Sequence, residues 1–286
     1  MTEDFYKSFK DSIETVMCDI KENSPLIHCI TNPISINDCA NVILGLGASP
    51  IMAEHPKEVS EITRLSSALC LNIGNITDAR MSSIMISGQT AYENNIPSVL
   101  DIVGITCSSL RYDFITKFLE KVKPSVIKGN LSEIKKLAQS RASYIGIDST
   151  EKLDTENDLM EAVSIVKDLA AHTGCTIVAS GMTDIISDGN LAACIYNGSP
   201  AMSRITGTGC ILNVVIGTML ASQYSNTMEK SVLATAILGI CGEIGYSLSI
   251  NDKSPLQLGT YHMNLLNALS TISPYDIKER VKIKII

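Results

Sequence analysis

Short apolar runs alternate with amphipathic stretches along most of the chain. Residues 26–31, 68–73, 98–103, 125–128 and 176–180 are brief and apolar, and Gly, Asn, Ser or Asp closes each. Strands buried on both faces of a sheet read this way. Apolar positions at helical spacing predict helices over 36–46, 57–67, 78–94, 109–122, 133–138 and 156–171. Residues 184–187 and 191–196 flank Asp188-Gly189 and predict a hairpin. Beyond Gly209 the pattern turns helical, near 210–223, 227–249 and 256–269. Strands alternating with helices predict an α/β fold, with a mainly parallel central sheet flanked by helices on both faces. No repeat, low-complexity tract or Pro/Ser-rich linker divides the sequence, so one domain over 1–286 is expected. No apolar run reaches the roughly 18 residues of a membrane span, and none is expected.

In such sheets the ligand lies beyond the carboxyl ends of the strands. The pattern brings Asn32, Asn72, Asp101, Lys128, Asn130, Glu133, Ser180 and the turn 207–210 to that end. They come from distant parts of the chain, as an assembled site requires.

Composition narrows the partners. The net charge of the 286 residues is −7, and the only basic cluster is 278–284. Nucleic acid and anionic membrane are therefore not expected as partners. The N-terminus carries early acids and does not read as a secretory signal. Nine scattered cysteines without paired spacing suit reduced thiols in the cytoplasm better than disulfides or zinc.

The chemistry concentrates in Ile205-Thr206-Gly207-Thr208-Gly209-Cys210, which runs into a long apolar segment. Glycines let the backbone approach a ligand closely. The first N–H groups of a helix lack internal partners and favour anions, phosphate above all. Cys210 stands at that mouth, where a thiolate would be favoured and could act as a base. The alternative is a glycine turn before a core helix, with Cys210 as a small apolar filler.

Val126-Ile127-Lys128-Gly129-Asn130-Leu131-Ser132-Glu133 ends a strand in a cation and opens a helix with Asn-x-x-Glu. Glu133 could hold Mg²⁺ and Lys128 could offset phosphate charge. Asn130 and Glu133 also fit a reciprocal cap, without any ligand. Asp101 ends a buried strand and is a second metal-side candidate or a turn residue. Ser180 could face a nucleotide. Met52 could line a pocket for a compact heterocycle, although core filling is the usual fate of a Met.

Together these residues resemble the hydroxyethylthiazole kinase family, the thiamine-salvage branch of the ribokinase-like superfamily. The resemblance spans about 25–269. It rests on 28–32, Gly45-Leu46-Gly47-Ala48-Ser49-Pro50-Ile51-Met52-Ala53-Glu54, Leu71-Asn72-Ile73-Gly74, Asp101-x-Val103-Gly104, Lys128-Gly129-Asn130-x-Ser132-Glu133, the turn 205–210 and Gly242-Glu243-Ile244. It implies a ribokinase-like fold and transfer of the ATP γ-phosphate to the primary hydroxyl of 4-methyl-5-(2-hydroxyethyl)thiazole. It also implies Cys210 as catalytic base, where the wider superfamily carries Asp. Gly207, Thr208 and Gly209 would form the anion hole. Met52, Gly207 and Asn32 would contact the thiazole, Lys128 and Ser180 would lie at ATP, and Asp101 and Glu133 would serve Mg²⁺. A homotrimer with sites at subunit interfaces is implied as well. The chain departs from the family pattern at Ile102 in place of Pro, Lys128 in place of Arg and Ser180 in place of Thr. The segment 105–108 also lacks a customary glycine. Lys128 keeps the charge but not the planar fork. Two other readings remain open here. One is a related kinase of pyridoxine- or hydroxymethylpyrimidine-type alcohols; the other is a non-catalytic binding relative.

Overall fold

The computed structural model describes residues 2–141, 155–250 and 255–286. In chain order the elements are α1 (Thr2–Asn23), β1 (Leu26–Ile30), α2 (Ile36–Gly45), β2 (Ser49–Ile51), α3 (Val59–Leu65), β3 (Ala68–Asn72), α4 (Asp78–Glu93), β4 (Ser98–Asp101), α5 (Ser109–Lys121), β5 (Val126–Asn130) and α6 (Leu131–Arg141). They continue with α7 (Glu156–Thr173), β6 (Thr176–Ser180), β7 (Asp184–Ser187), β8 (Ala192–Ile195), a 3₁₀ turn (Pro200–Arg204), α8 (Thr208–Leu220), α9 (Thr227–Ser249), α10 (Leu258–Thr271), α11 (Pro274–Arg280) and β9 (Ile283–Ile285).

Among the described residues the strands form one nine-stranded sheet in the order β2-β1-β3-β4-β5-β6-β7-β8-β9. Pairing is parallel from β2 to β6 and antiparallel from β6 to β9. Helices cover both faces. One core holds α1, α2, α8, α9 and α10 against Cys70, Val99, Val126 and Val178. The other packs residues of α4 to α7 against Leu71, Leu100, Ile127 and Ile177. Alternate residues of each strand thus feed opposite cores, as the pleat requires.

The five apolar runs, the hairpin and the nine expected helices are all present, with ends shifted by a few residues. Five further elements appear among the described residues, the 3₁₀ turn at Pro200–Arg204 being one. α1 is an amphipathic helix whose stripe Phe5, Phe9, Ile13, Val16, Met17 and Ile20 is buried. β2 and β9 are three-residue edge strands, the latter paired with β8 through the basic C-terminal run. α11 starts at Pro274 under a capping box between Ser273 and Asp276. The basic cluster itself is neutralised: Lys278 pairs with Glu14 at 3.1 Å, Lys282 with Glu243 at 2.9 Å and Lys284 with Glu156 at 3.4 Å. By length and composition α9, with 23 residues, could cross a membrane. Interrupted apolar spacing hid that in the sequence. Here α9 is a core helix, with most of its length buried against α8 and α10.

Candidate active site

Strand register builds the centre of the site. Asn72 pairs with Asp101, Asp101 with Lys128, and Asn130 with Ser180 across neighbouring parallel strands. Paired residues in a parallel sheet point to the same face, so all five side chains rise on the α8 side. Asp101 Oδ2 accepts from Asn72 Nδ2 at 2.8 Å and Lys128 Nζ at 2.9 Å, and its Oδ1 accepts from the Val103 N–H at 3.2 Å. Asp101 and Lys128 are 1% and 4% exposed. Burial opposes the Lys128 ammonium, but Asp101 beside it outweighs burial and holds the lysine pKa above its ordinary value. A buried charge survives only with such a partner.

The N-terminus of α8 is laid onto this pair. Gly207 precedes it with φ of 91°, a left-handed conformation that suits glycine. Gly209 sits tightly against the pair: its carbonyl accepts from Lys128 Nζ at 3.0 Å, and an added Cβ would crowd that nitrogen at 3.1 Å. Cys210 follows in the first turn, half-buried, with Asn72 Nδ2 donating to its Sγ at 3.5 Å. The Ser35 hydroxyl donates to the Asn32 carbonyl at 3.2 Å and stands close enough to Cys210 to pull its pKa down. The thiolate expected from the helix N-terminus is not favoured by these surroundings. Burial raises the Cys210 pKa, and Asp101 adds to that; Ser35, Lys128 and Asn72 offset only part of it.

Glu133 forms the reciprocal cap that its motif allows. Its backbone N–H donates to Asn130 Oδ1 at 2.8 Å, and the Asn130 N–H donates to Glu133 Oε2 at 2.8 Å, a reciprocal cap on α6. Its other oxygen, Oε1, accepts from the Gly104 N–H at 2.7 Å, tying the loop after β4 to α6. Burial raises the Glu133 pKa, and Asp101 is close enough to raise it further. Each Glu133 oxygen and Asp101 Oδ1 accept one bond among these and keep a lone pair. Hard oxygens with spare capacity, in two buried and mutually repelling carboxylates, fit Mg²⁺, which takes one or two carboxylates and keeps waters.

Beside this centre opens a cavity of about 830 Å³, whose lining includes Asn130, Ser180, Asp184, Asn197, Thr208 and Gly209. Ser180 Oγ donates to the Gly129 carbonyl at 3.3 Å, which fixes the hydroxyl at the rim. Asp184 accepts from the Gly181 N–H at 2.9 Å. Burial lifts its pKa to about 7 against the pull of Gly181 and Lys128. Asn197 reaches the same wall from beyond β8. The sequence pattern treated Asp184 only as the start of a hairpin and gave Asn197 and Ser35 no part.

Met52 and Asn32 lie apart from the charged network. Met52 follows edge strand β2, half-buried against the α8-side core. Asn32 follows β1, and its amide nitrogen comes so close to Gly74 that a Cβ there would meet it at 2.7 Å. The Asn32 carbonyl accepts from the Ser35 N–H at 3.0 Å, and the Cβ of Ser35 lies 3.2 Å from a Cβ built on Gly207. The loop carrying Asn32 therefore reaches the α8 turn through Ser35.

Residues 17–274 match the profile of the hydroxyethylthiazole kinase family. The chain belongs to that family. It is 47% identical over 265 residues to hydroxyethylthiazole kinase 2 of Clostridium botulinum strain Hall, covering 92% of this chain and 97% of the relative. It is similar to a solved hydroxyethylthiazole kinase protein of Pyrococcus horikoshii, with a TM-score of 0.84 and 29% identity over 96% of this chain and 99% of the other. Staphylococcus aureus pyridoxal kinase, solved with AMP-PCP and pyridoxal, superposes with a TM-score of 0.59 at 16% identity, covering 91% and 97% of the two chains. That likeness extends to the fold alone. The fold is ribokinase-like, and membership of the family makes this chain a phosphotransferase acting on an alcohol.

Proposed function

We propose that the chain transfers the γ-phosphate of ATP to the primary hydroxyl of 4-methyl-5-(2-hydroxyethyl)thiazole, a step in thiamine salvage. The observation that carries this is one network: Asn72, Asp101, Lys128 and Cys210 joined at the N-terminus of α8, beside a cavity of about 830 Å³. The family match over nearly the whole chain names the acceptor. A pyridoxine- or hydroxymethylpyrimidine-type acceptor is not favoured, since pyridoxal kinase shares only the fold.

Phosphoryl transfer depends on alignment and charge neutralisation more than on covalent help. ATP would occupy the cavity, with Ser180 at its rim. The transferring phosphoryl would meet the N–H groups of Gly207, Thr208 and Gly209, the anion hole, with Lys128 behind them. Asp101 holds Lys128 in place. Asp101 and Glu133 would hold Mg²⁺, which when bound offsets charge on the phosphate oxygens. Cys210 would take the acceptor proton. In a loose transition state that proton leaves late, so the small thiolate fraction of a Cys210 with a raised pKa still suffices, at some cost in rate. Met52, Asn32 and Gly207 would contact the thiazole.

The whole chain would act as one catalytic unit, supported by a single sheet whose strands lie between residues 26 and 285. It would work in the cytoplasm, in keeping with nine cysteines that form no disulfide. It would assemble as a homotrimer with each acceptor pocket completed by a neighbour. Support comes from β2, which ends the sheet, and from Ile34, Leu44 and Leu65 in the segments that follow β1 and β2, which are 71%, 56% and 68% exposed.

The test is turnover with Mg²⁺ and ATP over a panel of alcohols: the thiazole, pyridoxine and hydroxymethylpyrimidine. The thiazole phosphate should dominate. Preference for either other alcohol, or no turnover of any, overturns the reading.

A further inference from the structure

Arg80, in the first turn of α4, is 6% exposed and gathers three loops at the carboxyl end of the sheet. Its Nε and Nη2 donate to Glu54 Oε2 at 2.8 and 2.6 Å. Nη1 donates to the Asn75 carbonyl at 2.8 Å, and Nη2 also donates to the Thr31 carbonyl. Those partners follow β2, β3 and β1. Thr31 directly precedes Asn32, and Glu54 stands two residues after Met52. The same loop is held twice more: Ser83 Oγ donates to the Glu54 carbonyl at 2.7 Å, and His28 Nε2 lies 2.9 Å from the Ala53 carbonyl.

We propose that Arg80 is a positioning residue of the acceptor pocket, whose guanidinium fixes the Met52 and Asn32 loops at the spacing the acceptor ring needs. This rests on the proposed acceptor reading. The physical case is the shape of the group. A planar guanidinium offers five donors in a rigid fork, so one side chain locks a carboxylate and two carbonyls together. Burial removes competing water. None of its bonds reaches Asp101, Lys128 or Cys210, so its influence falls on acceptor binding rather than on phosphoryl chemistry.

The experiment compares the wild type with Arg80→Met, which keeps much of the apolar stem, Arg80→Lys and Glu54→Gln. Steady-state kinetics are run in thiazole and in ATP, with calorimetric thiazole binding and thermal melts alongside. Loss of uniform binding raises KM and leaves kcat. Arg80→Met should therefore raise the thiazole KM and Kd by about tenfold, with kcat and the ATP KM changed less than about twofold. Arg80→Lys and Glu54→Gln should fall between, at roughly threefold, since each keeps part of the contact set. Glu54 is half-exposed, so its variant leaves little buried surface altered. If Arg80→Met does not fold, the other two decide on the same criterion.

A lower melting temperature with unchanged thiazole KM makes Arg80 a structural tie only and overturns the proposal. An equal rise in the ATP KM overturns it too. A wild type that neither binds nor phosphorylates the thiazole shows separately that the acceptor reading has failed, and the proposal falls with it.

Discussion

Cys210 carries the sharpest conflict between local rule and surroundings. Position at a helix N-terminus argues for a thiolate, yet burial and the nearby Asp101 raise its pKa. If the thiolate takes the proton, kcat/KM should climb steadily as pH rises through neutrality toward the alkaline range. Cys210→Ala should lower kcat by about 10²-fold and flatten that climb, with little change in the ATP KM. An unchanged kcat reduces Cys210 to packing. Asp184 gives a second signature with pH, in stability. Its folded pKa of about 7 stands far above that of an exposed carboxylate, near ~4. Between roughly those values the folded state binds the extra proton, so stability must fall as pH rises through that window. Asp184 keeps partial contact with the cavity, so the slope is shallower than full burial would give. Thermal melts from acid to neutral pH should show the wild type losing ground against Asp184→Asn. Parallel curves would mean that Asp184 is ionised throughout. Most of the charged centre was legible residue by residue, because strand-end Asp, Lys and Asn stand out in apolar runs. Ser35 and Arg80 were not, since their roles depend on loops that meet only in three dimensions.

At the scale of elements, the start of α6 joins structure and chemistry in one side chain. Glu133 caps its own helix and fastens the loop after β4. Glu133→Gln keeps an oxygen for one of those bonds but turns an amide against the other N–H. It should raise the Mg²⁺ concentration for half-maximal rate and also cost on the order of 1 kcal/mol of stability through lost capping, seen as a lower melting temperature. A lower melting temperature with unmoved Mg²⁺ dependence leaves capping as its only role. The buried strands were readable as continuous apolar runs, and the long helices from periodicity sustained over several turns. β2 and β9 are three residues each at the ends of the sheet, too short to show any period. α1 escaped because its stripe is diluted by charged residues that face water. α9 shows the reverse: buried on all sides along most of its length, it fixes no single face of its own, and its neighbours decide its place.

At the scale of the whole molecule, assembly and binding should be linked. If a neighbour completes each acceptor pocket, the thiazole stabilises the trimer by mass action. Light scattering and activity followed together on dilution should fall in step, and added thiazole should move both to lower protein concentration. An active monomer with unchanged thiazole affinity removes the shared pocket. The parallel architecture was evident in the sequence, whereas the subunit number rests on family resemblance, because a single chain shows only which apolar side chains are left facing out. The registered side chains carry one more consequence, for how competence is acquired. Asn72 meets Asp101 across 29 residues of chain, Asp101 meets Lys128 across 27, and Asn72 meets Cys210 across 138. A one-residue slip of any of these strands would turn its site residue to the opposite face. No segment can therefore be born active and wait for the rest. During synthesis or refolding, turnover is an all-or-nothing report that the long-range strand pairing is finished, and it should return with the slowest, most non-local step of folding.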